Sequence, residues 1–107
     1  MRLAAAACLA AALLAGCGGV DDAERAAAIA AAEAVYAKER AADRDFSKGP
    51  CLADPLPAPS DDWVVDIAHD PRRAVDDDAA NQCSAYRRGE AHHFVELDPD
   101  GGLIRAE

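Results

Sequence analysis

From Leu3 to Ala15 the chain carries no charge and nothing more polar than Cys8. A single cation, Arg2, precedes this run, and small residues close it. This is the charged start, apolar middle and small-residue end of a secretory signal, which the mature protein loses. The run is too short to span a bilayer, which takes roughly 20 apolar residues. What must fold is the remainder. Taking residues 1–16 from 107 leaves 91, one small domain with a modest core that needs some further constraint.

The end of the run, Leu14-Ala15-Gly16-Cys17, resembles the lipobox of bacterial lipoproteins. The resemblance covers these four positions and implies cleavage before Cys17, a diacylglyceryl group on its thiol and usually an acylated amine. Two acyl chains anchor a protein stably where one holds it only marginally. Residues 17–20 are then a lipidated start and short tether, and the domain is 21–107. Gly18, not Asp, follows the cysteine, which in Gram-negative lipoproteins implies the outer membrane, facing the periplasm. A plain secretory signal with an incidental cysteine is the alternative.

On the lipoprotein reading, Cys8 leaves with the signal and Cys17 is lipidated. The resemblance then leaves Cys51 and Cys83 to pair in an oxidising compartment. Closing that loop stabilises by roughly 3–4 kcal/mol on the chain-entropy model, a large share for so small a domain. Metal ligation by the two is the rival, but they lack a CxxC spacing.

The whole chain has net charge −9, and removing Arg2 makes the mature form −10. Residues 17–48 hold seven acids and five bases, while residues 49–107 hold thirteen and five. The basic patch that nucleic acid or anionic headgroups require is missing. The membrane is met through lipid on Cys17, and an envelope protein is the partner considered.

Residues 21–42 read as a helix. Asp21 suits the N-cap, with Glu24 three residues on to complete a capping box. Asp22 suits the helix start and Lys38, Arg40 and Arg44 its end, while alanine gives the middle high propensity. Ala28, Ile29, Ala32, Val35 and Tyr36 share one narrow face. Docking on a sheet keeps Ile29 and Tyr36 out of water; a polar tether is the alternative. Ser47-Lys48-Gly49-Pro50 breaks the pattern. Residues 50–62, with four prolines, favour extended backbone and read as a covering loop.

Residues 63–69 are the best strand, with Trp63, Val65 and Ile67 on one face and Val64, Asp66 and Ala68 on the other. Arg72 to Gln82 is a long polar connection or a short capped helical turn, whose Asp76, Asp77 and Asp78 read as a solvated acidic loop. These three lack the ligand spacing and glycine of a calcium-binding EF-hand loop. Residues 83–88 read as strand or turn, with the strand preferred because Cys83 must come beside Cys51. Residues 91–98 and 103–106 flank Pro99-Asp100-Gly101-Gly102 as a hairpin. Helix first, then strands ending in this hairpin, resembles small envelope domains of the PepSY or cystatin-like kind. The hairpin is also similar to the last one of NTF2-like folds, although the chain is too short for their full cone. The expected fold is α+β: one N-terminal helix on a three- or four-stranded antiparallel sheet, with one disulfide.

For chemistry the inventory is thin. His92 and His93 are adjacent, so a strand points them to opposite faces. A metal site using His69, His92 and His93, completed by Asp66 or Glu96, is an alternative to surface histidines. Ser47, Ser60 and Ser84 lack the glycine-rich elbow of a hydrolase nucleophile. No phosphate-cradling loop is present. Asp66 and Glu96 can oppose each other across strands, but nothing in the sequence marks a cleft around them, and the domain has little room for a pocket. The chain therefore reads as a binding or accessory module, with no catalytic residue, resident metal or cofactor. Trp63, Arg72, Arg73, His92 and His93 are the candidate interaction residues, being types that interfaces favour. A small hydrolase acting through Asp66 and Glu96 is the last alternative.

Overall fold

The structure is a computed structural model that describes residues 20–107. The signal run, the lipobox and Cys17 lie outside the described residues. Helix α1 spans Asp22–Ala41, and Asp21 caps it by accepting from the Ala23 amide at 3.1 Å. Glu24 does not complete the expected capping box. Its Oε2 instead accepts from the indole Nε1 of Trp63 at 3.0 Å, giving a buried ring its polar partner.

The strands are β1 (Cys51–Ala53), β2 (Trp63–Ile67), β3 (His93–Leu97) and β4 (Leu103–Ala106), in the spatial order β1-β2-β3-β4. The fold is α+β, with one main helix on four strands and the Cys51–Cys83 disulfide in place at a Cα–Cα distance of 5.0 Å. The helix docks. Ala28, Ala32 and Tyr36 are buried against Trp63, Val65, Ile67, Val95 and Leu97. Alanine on this stripe lets the helix backbone approach the sheet, and longer side chains at its rim close the sides. Tyr36 also donates its hydroxyl to the Pro99 carbonyl at 2.7 Å, and Arg25 Nε donates to the Ala106 carbonyl at 2.8 Å. These two bonds tie the helix to the hairpin turn and to the last strand.

Two expectations about the sheet are corrected. It is mixed, not antiparallel: β1/β2 and β3/β4 are antiparallel, but the central pair β2/β3 is parallel. A parallel pair needs a crossover of a dozen or more residues, and residues 68–92 supply it by running back over the face opposite α1. Residues 83–88 are not a strand. Ser84–Arg87 forms a single helical turn, α2, whose first amides are held by Asp54. Its Oδ2 accepts from the Ser84 amide at 2.9 Å and from Ser84 Oγ at 2.7 Å, and its Oδ1 from the Ala85 amide at 2.7 Å. Cys83 alone reaches Cys51, so no strand is needed to deliver it. The proline-rich segment also contributes more than a cover, since its first residues form edge strand β1 and Leu56 enters the core.

The connection between β2 and α2 contains two short 3-10 turns, Ala74–Asp77 and Ala79–Asn81. Asp76 is buried here, against the expectation of a solvated acidic loop. Its carboxylate accepts from the His69 amide, the Arg73 amide and His69 Nδ1, all at 2.9 Å. One buried acid thus organises the exit from β2, because it satisfies amides that would otherwise lack partners.

Candidate functional site

The alternation of β2 and β3 sorts their side chains. Trp63, Val65, Ile67, Val95 and Leu97 belong to the core beneath α1. Val64, Asp66, Phe94 and Glu96 turn to the other face, where residues 72–91 cover only part of the sheet. Because the pair is parallel and in register, Val64 stands beside Phe94 and Asp66 beside Glu96. Two carboxyl groups therefore lie next to each other on a half-covered sheet. The space above them is a cleft of about 440 Å³, walled by Gln82, Cys83, Tyr86 and Arg87 on one side and by Arg72 and Arg105 across it. That volume is within the range of small-ligand sites. The expectation that nothing surrounds Asp66 and Glu96 is corrected.

The two acids have opposite environments. Glu96 is buried, and both its oxygens are taken: Oε2 accepts from Arg72 Nη1 at 2.9 Å and Oε1 from Arg105 Nε at 3.2 Å. Arg72 also donates from Nε to Asp77 at 2.9 Å, and these acids raise its pKa further. Asp66 has no such support. Its Oδ1 is shut away from solvent and meets no hydrogen-bond partner among the described residues. Burial first, then the neighbouring Glu96 carboxylate, push the Asp66 carboxyl up to about 8, against the pull of Arg72. At neutral pH it is therefore an uncharged acid, able to donate.

The protonation of Asp66 changes the balance of the cleft. Three guanidinium groups, of Arg72, Arg87 and Arg105, line the cleft with only two acids, Asp66 and Glu96, in a chain of net charge −9. Arg72 and Arg105 are engaged by Glu96, whereas Arg87 makes no ion pair among the described residues. Phe94 supplies an apolar ring, T-shaped to Tyr86 at 5.4 Å between ring centroids and with the Arg105 guanidinium over it, 5.4 Å from its centroid. The Cys51–Cys83 disulfide ties α2 and its wall to edge strand β1.

Comparison with protein-family models, curated proteins and solved structures finds no match for the chain. The reading of the site rests on its geometry.

The residues singled out in the sequence scatter. Trp63 is not a surface anchor; it is fully buried at the centre of the core. Arg72 belongs to the cleft, and Arg73 lies beside it in the loop that Asp76 organises. His92 precedes β3, so the two adjacent histidines do not diverge as strand neighbours would. His92 Nδ1 lies 2.8 Å from Asp62 Oδ1, and His93 Nε2 lies 3.5 Å from Asp62 Oδ2. His69 is bonded to Asp76 beyond the far end of β2. With Trp63 paired to His93 and Ile67 to Leu97, His69 sits about 20 Å along the strands from His92 and His93 at ~3.3 Å per residue. The three histidines do not converge. Among the described residues, a Cys51, Asp54 and Cys83 cluster has metal-ligand proximity, but its sulfurs are joined to each other and its carboxylate caps α2.

Sequence reasoning placed Asp66 and Glu96 opposite each other but missed Arg87, Tyr86 and Phe94. The only signal was the pair of acids, Asp66 and Glu96, on the strand face away from the core. It became legible once the central pair was known to be parallel.

Proposed function

We propose that this chain is a lipid-anchored module of the bacterial cell envelope that binds a ligand in the cleft above Asp66 and Glu96 and catalyses no reaction. The observation that carries the cleft reading is Asp66 in the floor of a cavity of ligand size, its Oδ1 buried and without a hydrogen-bond partner among the described residues. Orphaned buried polar atoms are uncommon in native folds, and an acid perturbed by burial beside a charged partner in a cleft marks candidate functional sites. Attachment is supported by the resemblance of Leu14-Ala15-Gly16-Cys17 to a lipobox. Among the described residues, no helix is long and apolar enough to cross a membrane.

Asp66 beside Glu96 also invites a hydrolase reading, with Asp66 as general acid. Glu96 argues against it. In a two-carboxylate hydrolase the second carboxylate activates water or attacks the substrate, and both Glu96 oxygens are held by arginines.

Two measurements test the proposal on the full chain made in a bacterial host. Mass spectrometry of the envelope fraction should find residues 1–16 removed and a diacylglyceryl group on Cys17, with Cys17→Ser leaving the membrane. A nuclear magnetic resonance screen with cationic, neutral and anionic fragments should perturb signals of Phe94, Tyr86 and Arg87. An unlipidated chain refutes the anchor, and fragments that ignore the cleft refute the site.

A further inference from the structure

Resting on the cleft as a binding site, we infer that its ligand is a small organic carboxylate with a flat apolar body, the head held by Arg87 and Asp66 and the body laid against Phe94 and Tyr86. Charge selects the head. The walls present more guanidinium than carboxylate in a strongly acidic chain, and Arg87 is the cation not already engaged by an acid among the described residues. A planar guanidinium grips a carboxylate through two parallel hydrogen bonds. Asp66, which lines the floor of the cleft, adds an O–H donor. A cationic ligand would lie against Arg87, and a neutral one would leave that guanidinium without an acid.

Shape selects the body. Phe94 and Tyr86 line the cleft T-shaped to each other. Because the Arg105 guanidinium lies over the Phe94 ring, the flat body meets the Phe94 edge and the exposed Tyr86 ring, contacts that aromatic groups accept in edge-to-face or offset geometry. The disulfide holds the α2 wall in place, so the site is preorganised and limited in size, which favours a small molecule over a polypeptide segment.

The Asp66 anchor makes binding depend on pH. Asp66 is faced by Glu96 on β3, Arg105 on β4, Arg72, Asp76 and its partner His69 on the crossover, and Tyr86 and Arg87 on α2. The sulfurs beside it are joined and do not titrate. Donation by Asp66 requires its proton, so binding weakens about tenfold per pH unit once that proton is lost.

The test uses the full chain in detergent micelles with benzoate as probe, against benzamide, benzylamine and inorganic phosphate. Benzoate is expected to shift the Phe94 and Tyr86 ring signals and the Arg87 Nε–H, with the other three binding at least about tenfold more weakly. Arg87→Ala, at an exposed position, is expected to lose about tenfold in benzoate affinity. Asp66→Asn keeps a donor and is expected to bind at neutral pH while losing the decline above pH 8. Benzamide or benzylamine binding as well as benzoate overturns the inference, as does an Arg87→Ala variant that binds benzoate unchanged. If other fragments of the screen occupy the cleft and benzoate does not, the ligand class is wrong and the site stands. If no fragment enters, both fall.

Discussion

Replacing Asp66 by Asn is expected to stabilise the domain at neutral pH, because the wild-type acid must stay protonated in the folded state. In the unfolded chain its carboxyl has the ordinary value of 3.8, and in the fold it stands at about 8. A folded-state pKa above the unfolded one means that folding takes up a proton between the two values. The acid therefore weighs least on stability below pH 3.8, and the stability is lost progressively as pH rises towards 8. At pH 7 the difference of about three units corresponds to about 4 kcal/mol at 1.36 kcal/mol per unit. Water entering the open cleft screens part of this, so a gain of about 2–4 kcal/mol is expected. Asparagine matches the neutral acid in shape and keeps an N–H in place of its O–H. Near pH 4 both forms of the wild type are populated when unfolded, and the gain should shrink below about 1 kcal/mol. Urea unfolding of both proteins at pH 4 and pH 7, at equal ionic strength, reads the difference directly. A variant less stable than wild type at pH 7, or equally stabilised at both pH values, refutes the protonated-acid reading. A gain would also mean that a small domain retains an acid that lowers its stability, a trade typical of sites kept for binding.

Three further outcomes follow from the fold. Replacing both Cys51 and Cys83 by Ser should remove roughly 3–4 kcal/mol, seen as a lower urea midpoint, and should loosen α2 selectively in hydrogen exchange. Gly101→Ala should lose about 1–3 kcal/mol in thermal unfolding, because Gly101 has φ +94° and a Cβ there would lie 2.7 Å from the Tyr36 ring. Tyr36→Phe should cost about 1 kcal/mol, because its hydroxyl donates to Pro99 and accepts from Arg40 Nη1, both at 2.7 Å. A neutral result for any of these contradicts the corresponding contact.

Local chemistry made much of the chain legible. Asp21 capping an alanine-rich run, the two-residue alternation of Trp63, Val65 and Ile67, and the Asp98 to Gly102 turn are each decided by neighbours in sequence. The pairing of Cys51 with Cys83 followed from the lipobox resemblance, and the structure joins them. What sequence could not supply was the direction in which β3 enters the sheet. A long polar connection permits either a hairpin-like return or a crossover. The choice falls to tertiary packing, where Asp76 gathers the exit from β2 and Asp54 captures the start of α2 from thirty residues away. That choice sets Asp66 beside Glu96 with α2 above them, and so creates the cleft. Strand alternation put polar groups on one face, but their charge states and the space over them depend on residues far apart in the chain, whose interactions exist only when the whole domain has folded.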